Sequence, residues 1–162
     1  MKKLVVYYSY TAGNTRRIAE EIAERIGADL LPLETEKRYT GSYQDVVDQG
    51  LDEVKRGYTP KLKPFSVNPA DYDEIIIGTP TWWYEMAPAV LSFMKQTDFT
   101  DKLVGLYQTN AGWPGDCLNH MAEEVKAGKI IATELFTFSA DDTERDHMTS
   151  AQSDVEDFIA KL

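Results

Sequence analysis

The chain is poor in the groups that usually bind metals or staple small proteins. Its 162 residues include one cysteine, Cys117, and two histidines, His120 and His147. A single cysteine excludes an intramolecular disulfide and any thiolate-based metal cluster. Cys117 reads as a small buried hydrophobe, with no neighbouring cation to lower its pKa. The histidines lack ligand partners at suitable spacing and read as solvated side chains, so no metal site is expected. Basic side chains are also scarce, 17 against 27 acidic ones, and the net charge of -10 repels nucleic-acid phosphate and anionic lipid. A protein partner with a basic surface is the natural counterpart. No tract approaches the roughly 18 apolar residues of a membrane helix. The start, MKKLVVYYSY, lacks the longer apolar core and cleavage site of a secretory leader and is read as a mature cytoplasmic N-terminus. Neither G-x-G-x-x-G nor Gly-Lys-Ser/Thr occurs, which argues against a dinucleotide fold and a triphosphate loop. Asp141, Asp142, Glu144 and Asp146 lack the spaced glycine of a calcium loop and read as a solvated turn on a partner-facing rim.

What is present is an alternation of short apolar runs and helical stripes. Leu4 to Tyr8 is continuously apolar, as in a strand covered on both faces. Ile18, Ala19, Ile22, Ala23 and Ile26 form one helical stripe ended by Gly27. The spacing predicts further strands at residues 28–33, 74–77, 103–107 and 130–138. Further helices are expected at 42–56, with a serine cap and Val46, Val47, Leu51 and Val54 inward, at 88–96, and after Asp116; a last one carries Val155, Phe158, Ile159 and Leu162. Residues 58–70, with three prolines, read as a connecting loop. Five strands alternating with five helices imply a single α/β domain over 1–162, a three-layer doubly wound sandwich around an open parallel sheet. Ligands in such sheets sit beyond the carboxyl ends of the strands, so the loops after strands one, three and four carry the site.

After strand one, Ser9-Tyr10-Thr11-Ala12-Gly13-Asn14-Thr15 leads into a helix. Unpaired N–H groups, a positive dipole end, three hydroxyls and a glycine suit a phosphate. Arg16 and Arg17 fall opposite the apolar stripe, four residues before Glu20 and Glu21, and read as a solvated face. After strand three, Gly78-Thr79-Pro80-Thr81-Trp82-Trp83-Tyr84 carries three consecutive aromatics that cannot all enter one core, so one faces a cleft, a partner or solvent. After strand four, Gln108-Thr109-Asn110-Ala111-Gly112-Trp113 is a polar turn able to read the edge of a planar ring. Together the loops describe a pocket for a phosphate at one end and a planar heterocycle at the other, the shape of flavin mononucleotide (FMN).

These three stretches, YYSYTAGNTRRIAE, IIIGTPTWWYEMAPAV and TNAGWPGD, resemble a flavodoxin, in particular the flavodoxin-like branch with a Trp-Trp pair after strand three. The resemblance spans essentially the whole chain. It implies a sheet order of 2-1-3-4-5 and an FMN phosphate held by Ser9, Thr11, Asn14 and Thr15, with amides from Ala12 and Gly13. Pro80, Thr81, Trp82, Trp83 and Tyr84 would border one side of the flavin, and Asn110, Ala111, Gly112 and Trp113 the other. Relative to the family pattern Ala12 is an added residue. Trp83-Tyr84 also stands where many relatives have a glycine, and bulky residues resist positive φ, so weak stabilisation of the one-electron-reduced flavin is expected.

The leading expectation is an FMN-binding electron carrier with no catalytic residue of its own. The alternative is an FMN-dependent oxidoreductase taking hydride from NAD(P)H and reducing a quinone or other small acceptor. A phosphorylated receiver domain would need an acidic residue where Thr79-Pro80-Thr81 stands.

Overall fold

The computed structural model describes residues 1–10 and 12–162. Among these residues six strands and five α-helices follow in the order β1 (Lys3–Tyr7), α1 (Asn14–Ile26), β2 (Asp29–Pro32), α2 (Tyr43–Arg56), β3 (Glu74–Trp82), β4 (Glu85–Met86), α3 (Pro88–Gln96), β5 (Leu103–Asn110), α4 (Cys117–Glu124), β6 (Lys129–Thr137) and α5 (Gln152–Ile159). The five long strands run parallel in the order β2-β1-β3-β5-β6, and the two-residue β4 pairs antiparallel with the end of β3. Without β4 this is the 2-1-3-4-5 order, and helices lie on both faces. Among the described residues no helix is long and apolar enough to cross a membrane.

Successive side chains of a strand point to opposite faces, and the central strands supply both faces with apolar groups. Val5, Tyr7 and Ile76 pack with Ile18 and Ile22 of α1 and with Val155 and Phe158 of α5. Leu4, Val6, Ile75 and Ile77 pack with Val46 of α2, Val90 and Phe93 of α3, and Met121 of α4. Each fully buried aliphatic side chain contributes roughly 1.5–3 kcal/mol.

Two strands run further than the apolar runs indicate. β3 continues through Gly78 to Trp82 and β5 through Gln108 to Asn110, in the pairs Thr79–Gln108 and Pro80–Thr109, so these residues are strand and not loop. Pro80 is tolerated because it lies past Tyr7, the last residue of β1, which stands opposite Gly78, so its missing N–H breaks no pair of the β1–β3 ladder. The loop after β2 and α2 is also less irregular than its prolines suggest, with a bridge between Thr35 and Leu62 and a 3-10 turn at Pro69–Asp71.

Helix α2 keeps its serine cap: Ser42 accepts from the Asp45 N–H (3.1 Å) while the Asp45 carboxylate accepts from the Ser42 N–H (2.8 Å). That capping box holds the Asp45 carboxyl below its ordinary value. The buried face differs from the expected one. Val46, Gly50 and Glu53 are buried, whereas Val47, Leu51 and Val54 are only half-buried. Asp116 occupies the N-cap position of α4 without making a capping bond.

Candidate functional site

A cavity of about 490 Å³ opens at the carboxyl ends of β1, β3 and β5, within the size range of small-ligand sites. At one end lies the start of α1. Gly13 is its N-cap at φ 77, where a side chain would be strained, and among the described residues no side chain caps it. The first helical bond runs from the Arg17 N–H to Gly13 O (2.9 Å). The N–H groups of Asn14, Thr15 and Arg16 therefore stand at the dipole's positive end without an intrahelical acceptor. A Cβ built at Gly13 would meet nothing within 4 Å among the described residues, so the space there is open to a ligand. An anionic group fits this end.

Ser9, Ala12, Gly13, Asn14 and Thr15 all line the cavity; Thr11 lies outside the described residues. The side chains of Asn14 and Thr15 are already engaged. The Asn14 amide donates to Arg145 O (2.8 Å), and the buried Thr15 hydroxyl pairs with that of Thr109 (2.8 Å). Tyr107 donates from below to Thr15 O (2.9 Å). These bonds brace the cradle against β5 and the loop after β6. Arg16 pairs with Glu20, as its i, i+4 spacing predicts. Arg17 instead donates to Asp146 O (3.1 Å) and lies over the Phe138 ring.

The end of β3 forms the opposite wall. Pro80, Thr81, Trp82 and Trp83 line it, and the Thr81 hydroxyl sits 2.7 Å from Gln108 Oε1 and 2.9 Å from Thr109 O. The Trp82 ring meets Tyr8, Tyr10 and Tyr39 edge-on, with centroids 5.0–6.0 Å apart, and lies against Gly50 of α2. Burial pushes the Tyr8 and Tyr39 phenols upward, Tyr39 also feeling the nearby Glu53. Trp83 and Tyr84 form the two-residue turn between the paired Trp82 and Glu85, at φ 51 and φ 66. Bulky residues thus do occupy positive φ here, contrary to the expectation from their size. The strain of roughly 1–2 kcal/mol per residue is offset by anchoring. Trp83 Nε1 donates to Val47 O (2.9 Å), and Tyr84 packs its Cα and Cβ against Gly115. Tyr84 does not line the cavity.

Beyond β5, Ala111 and Trp113 border the cavity and Gly112 does not. Asn110 does line it, yet its side chain is turned to the protein, Oδ1 accepting from the Gly112 N–H (2.8 Å). Trp113 is 60% exposed at the mouth. His120 is not simply solvated: it pairs with Glu85 and ties α4 to the β3–β4 hairpin. Cys117 is fully buried, and burial pushes its thiol up to about 12.

Two walls had no signal in the sequence. Tyr43, Val46, Val47 and Gly50 of α2 lie across the cavity from α1, and Phe138, Ser139, Asp142 and Arg145 close it from the loop after β6. The acidic run 141–146 is therefore part of the site's border and not only a solvated rim. Its backbone is bonded to α1 through Asn14 and Arg17.

With this arrangement in view, residues 2–136 match the model of a protein family described as flavodoxin. The chain belongs to the flavodoxin family. A flavodoxin from Haemophilus influenzae is 26% identical over 106 residues, 63% of this chain and 47% of that protein, so the chain spans about half the length of this curated relative. Among solved structures, a flavoprotein of Lactobacillus acidophilus in complex with FMN superimposes with a TM-score of 0.72 at 24% identity, over 83% of this chain and 92% of its own. A Bacteroides uniformis protein described as a flavoprotein reaches 0.79 at 23% identity, over 99% and 98%. In this flavodoxin-family chain the cavity border at Phe138–Arg145 falls beyond the stretch that the family model matches.

Proposed function

We propose that this chain binds FMN in the cavity described and acts as an electron-transfer carrier. The observation that carries the reading is one cavity joining an uncapped helix start, suited to a phosphate, to a wall of tryptophans, suited to a flat ring. The FMN complex of the Lactobacillus acidophilus protein, which shares the fold, supports the same choice of cofactor. When bound, FMN supplies one- and two-electron transfer.

The chain's own part is binding and positioning. The first-turn N–H groups of α1 hold the phosphate, with Ser9 and the amides of Ala12 and Gly13 beside them. Trp82 and Trp83 flank one side of the ring and exclude water, and the backbone at Ala111 with Trp113 borders the other. Trp113, exposed at the mouth, leaves a path to an external donor or acceptor. The net charge of -10 steers a redox partner with a basic surface toward the protein.

The test is an absorption spectrum of the purified protein, or of the stripped protein titrated with FMN, followed by anaerobic reduction with and without NADPH. A carrier binds FMN near stoichiometry and oxidises NADPH only slowly when alone. A colourless protein that ignores added FMN would sink the cofactor assignment. Rapid steady-state NADPH oxidation by the isolated protein would replace the carrier with an FMN-dependent oxidoreductase acting on a quinone or other small acceptor.

A further inference from the structure

We infer that Arg145 is a specificity-determining residue of this cavity, a mobile cationic clamp that selects flavins bearing a terminal phosphate over those without one. The inference rests on the FMN reading above and names a residue beyond the stretch matched by the family model.

Among the described residues lining the cavity, Arg145 is the one cation, in a chain whose net charge of -10 disfavours an anionic ligand. Its placement is built in. Asn14, the first residue of α1, donates its side-chain amide to Arg145 O (2.8 Å), and Arg17, one turn on, donates to Asp146 O (3.1 Å). The bridge between Phe138 and Met148 and the bond from the Ser139 N–H to His147 O (2.8 Å) close the loop that presents it. The backbone of Arg145 is therefore fixed beside the helix start at which a phosphate fits best.

The guanidinium meanwhile is held in reserve. It donates from Nε (2.9 Å) and from Nη2 (2.5 Å) to the same Asp142 Oδ1 and lies over the Tyr43 ring, 5.5 Å from its centroid. Asp142 is 80% exposed, and an exposed ion pair of this kind contributes little. A phosphate dianion at the start of α1 offers more charge and two oxygens for the planar guanidinium to bond at once, so the guanidinium gains by turning to it. Tyr43 keeps the cation at the cavity mouth in both positions.

The experiment compares FMN with riboflavin, which share the ring and the ribityl chain and differ in the phosphate. Each is titrated into the stripped wild-type protein, Arg145→Gln and Arg145→Lys, following quenching of flavin fluorescence at low and at high salt. The expected result is that Arg145→Gln weakens FMN roughly tenfold, leaves riboflavin within about twofold and flattens the salt dependence of FMN binding, while Arg145→Lys recovers part of the loss. Unchanged FMN affinity in Arg145→Gln would overturn the clamp alone. An equal loss for both flavins would overturn it too, assigning Arg145 to loop structure. A wild-type protein that binds neither flavin would overturn the FMN reading and the clamp together.

Discussion

The Trp82 ring lies against Gly50: a Cβ at that glycine would sit 3.2 Å from Trp82 Cε3. Glycine in the middle of α2 costs the helix roughly 1 kcal/mol relative to alanine, and here that cost leaves room for a cavity wall. Gly50→Leu is expected to push Trp82 from its place, lowering FMN affinity at least roughly tenfold and stability by about 1–3 kcal/mol. Flavin titration with thermal denaturation checks it; wild-type affinity in a folded Gly50→Leu protein would show that Trp82 does not shape the site.

The hairpin turn offers a stabilising change. Tyr84 sits at φ 66 with its side chain more than half exposed, and its contact with Gly115 is made by Cα, Cβ and O, which asparagine also has. Asparagine enters the left-handed region more readily than tyrosine. Tyr84→Asn should therefore raise Tm by about 2 °C, and a fall in Tm would mean that the tyrosine ring itself holds the turn.

A buried hydroxyl gives a second stability test. Among the described residues Tyr39 Oη has no partner within hydrogen-bond distance, and the nearby buried Glu53, whose Oε2 is likewise unpartnered, raises its pKa without compensating its burial by a close bond. Tyr39→Phe should leave stability unchanged or raise it by up to about 1 kcal/mol. Urea unfolding of the two proteins decides, and a loss well beyond 1 kcal/mol would reveal a partner for the hydroxyl.

Alkaline pH should loosen the fold. Burial pushes the Cys117 thiol from 9.0 up to about 12, and the Tyr107, Tyr8 and Tyr39 phenols above 10.0. Below about pH 8 all are neutral in both states, so they add no pH dependence there. Above pH 9 the unfolded chain loses protons that the folded one retains, and stability falls as pH rises, from 9 to 12 for the thiol and from 10 upward for the phenols. Tm measured from pH 8 to 11 should decline across that range. The same burial makes Cys117 inert to thiol reagents at pH 8 until the protein unfolds.

Much of this was legible along the chain. The unbroken apolar run at Leu4–Tyr8, the helical stripe from Ile18 to Ile26 and the alternation that follows specify a covered parallel sheet, because each of these periods is a property of neighbouring residues. The hydroxyl and glycine pattern between Ser9 and Thr15 marked the helix start for the same local reason. The ends of β3 and β5 were harder, since Pro80 and Gln108 read as loop until strand pairing is known.

Only the tertiary structure decided the rest. That Gly50 backs Trp82, that Trp83 and Tyr84 accept positive φ, and that Arg145 stands beside Asn14 all depend on residues 32 to 131 positions apart, or on anchors supplied by another element. Local periodicity carries no information about such pairs. They are chosen by the packing of whole helices and loops against the sheet, whose combined burial outweighs the strain and the glycine cost at any single position.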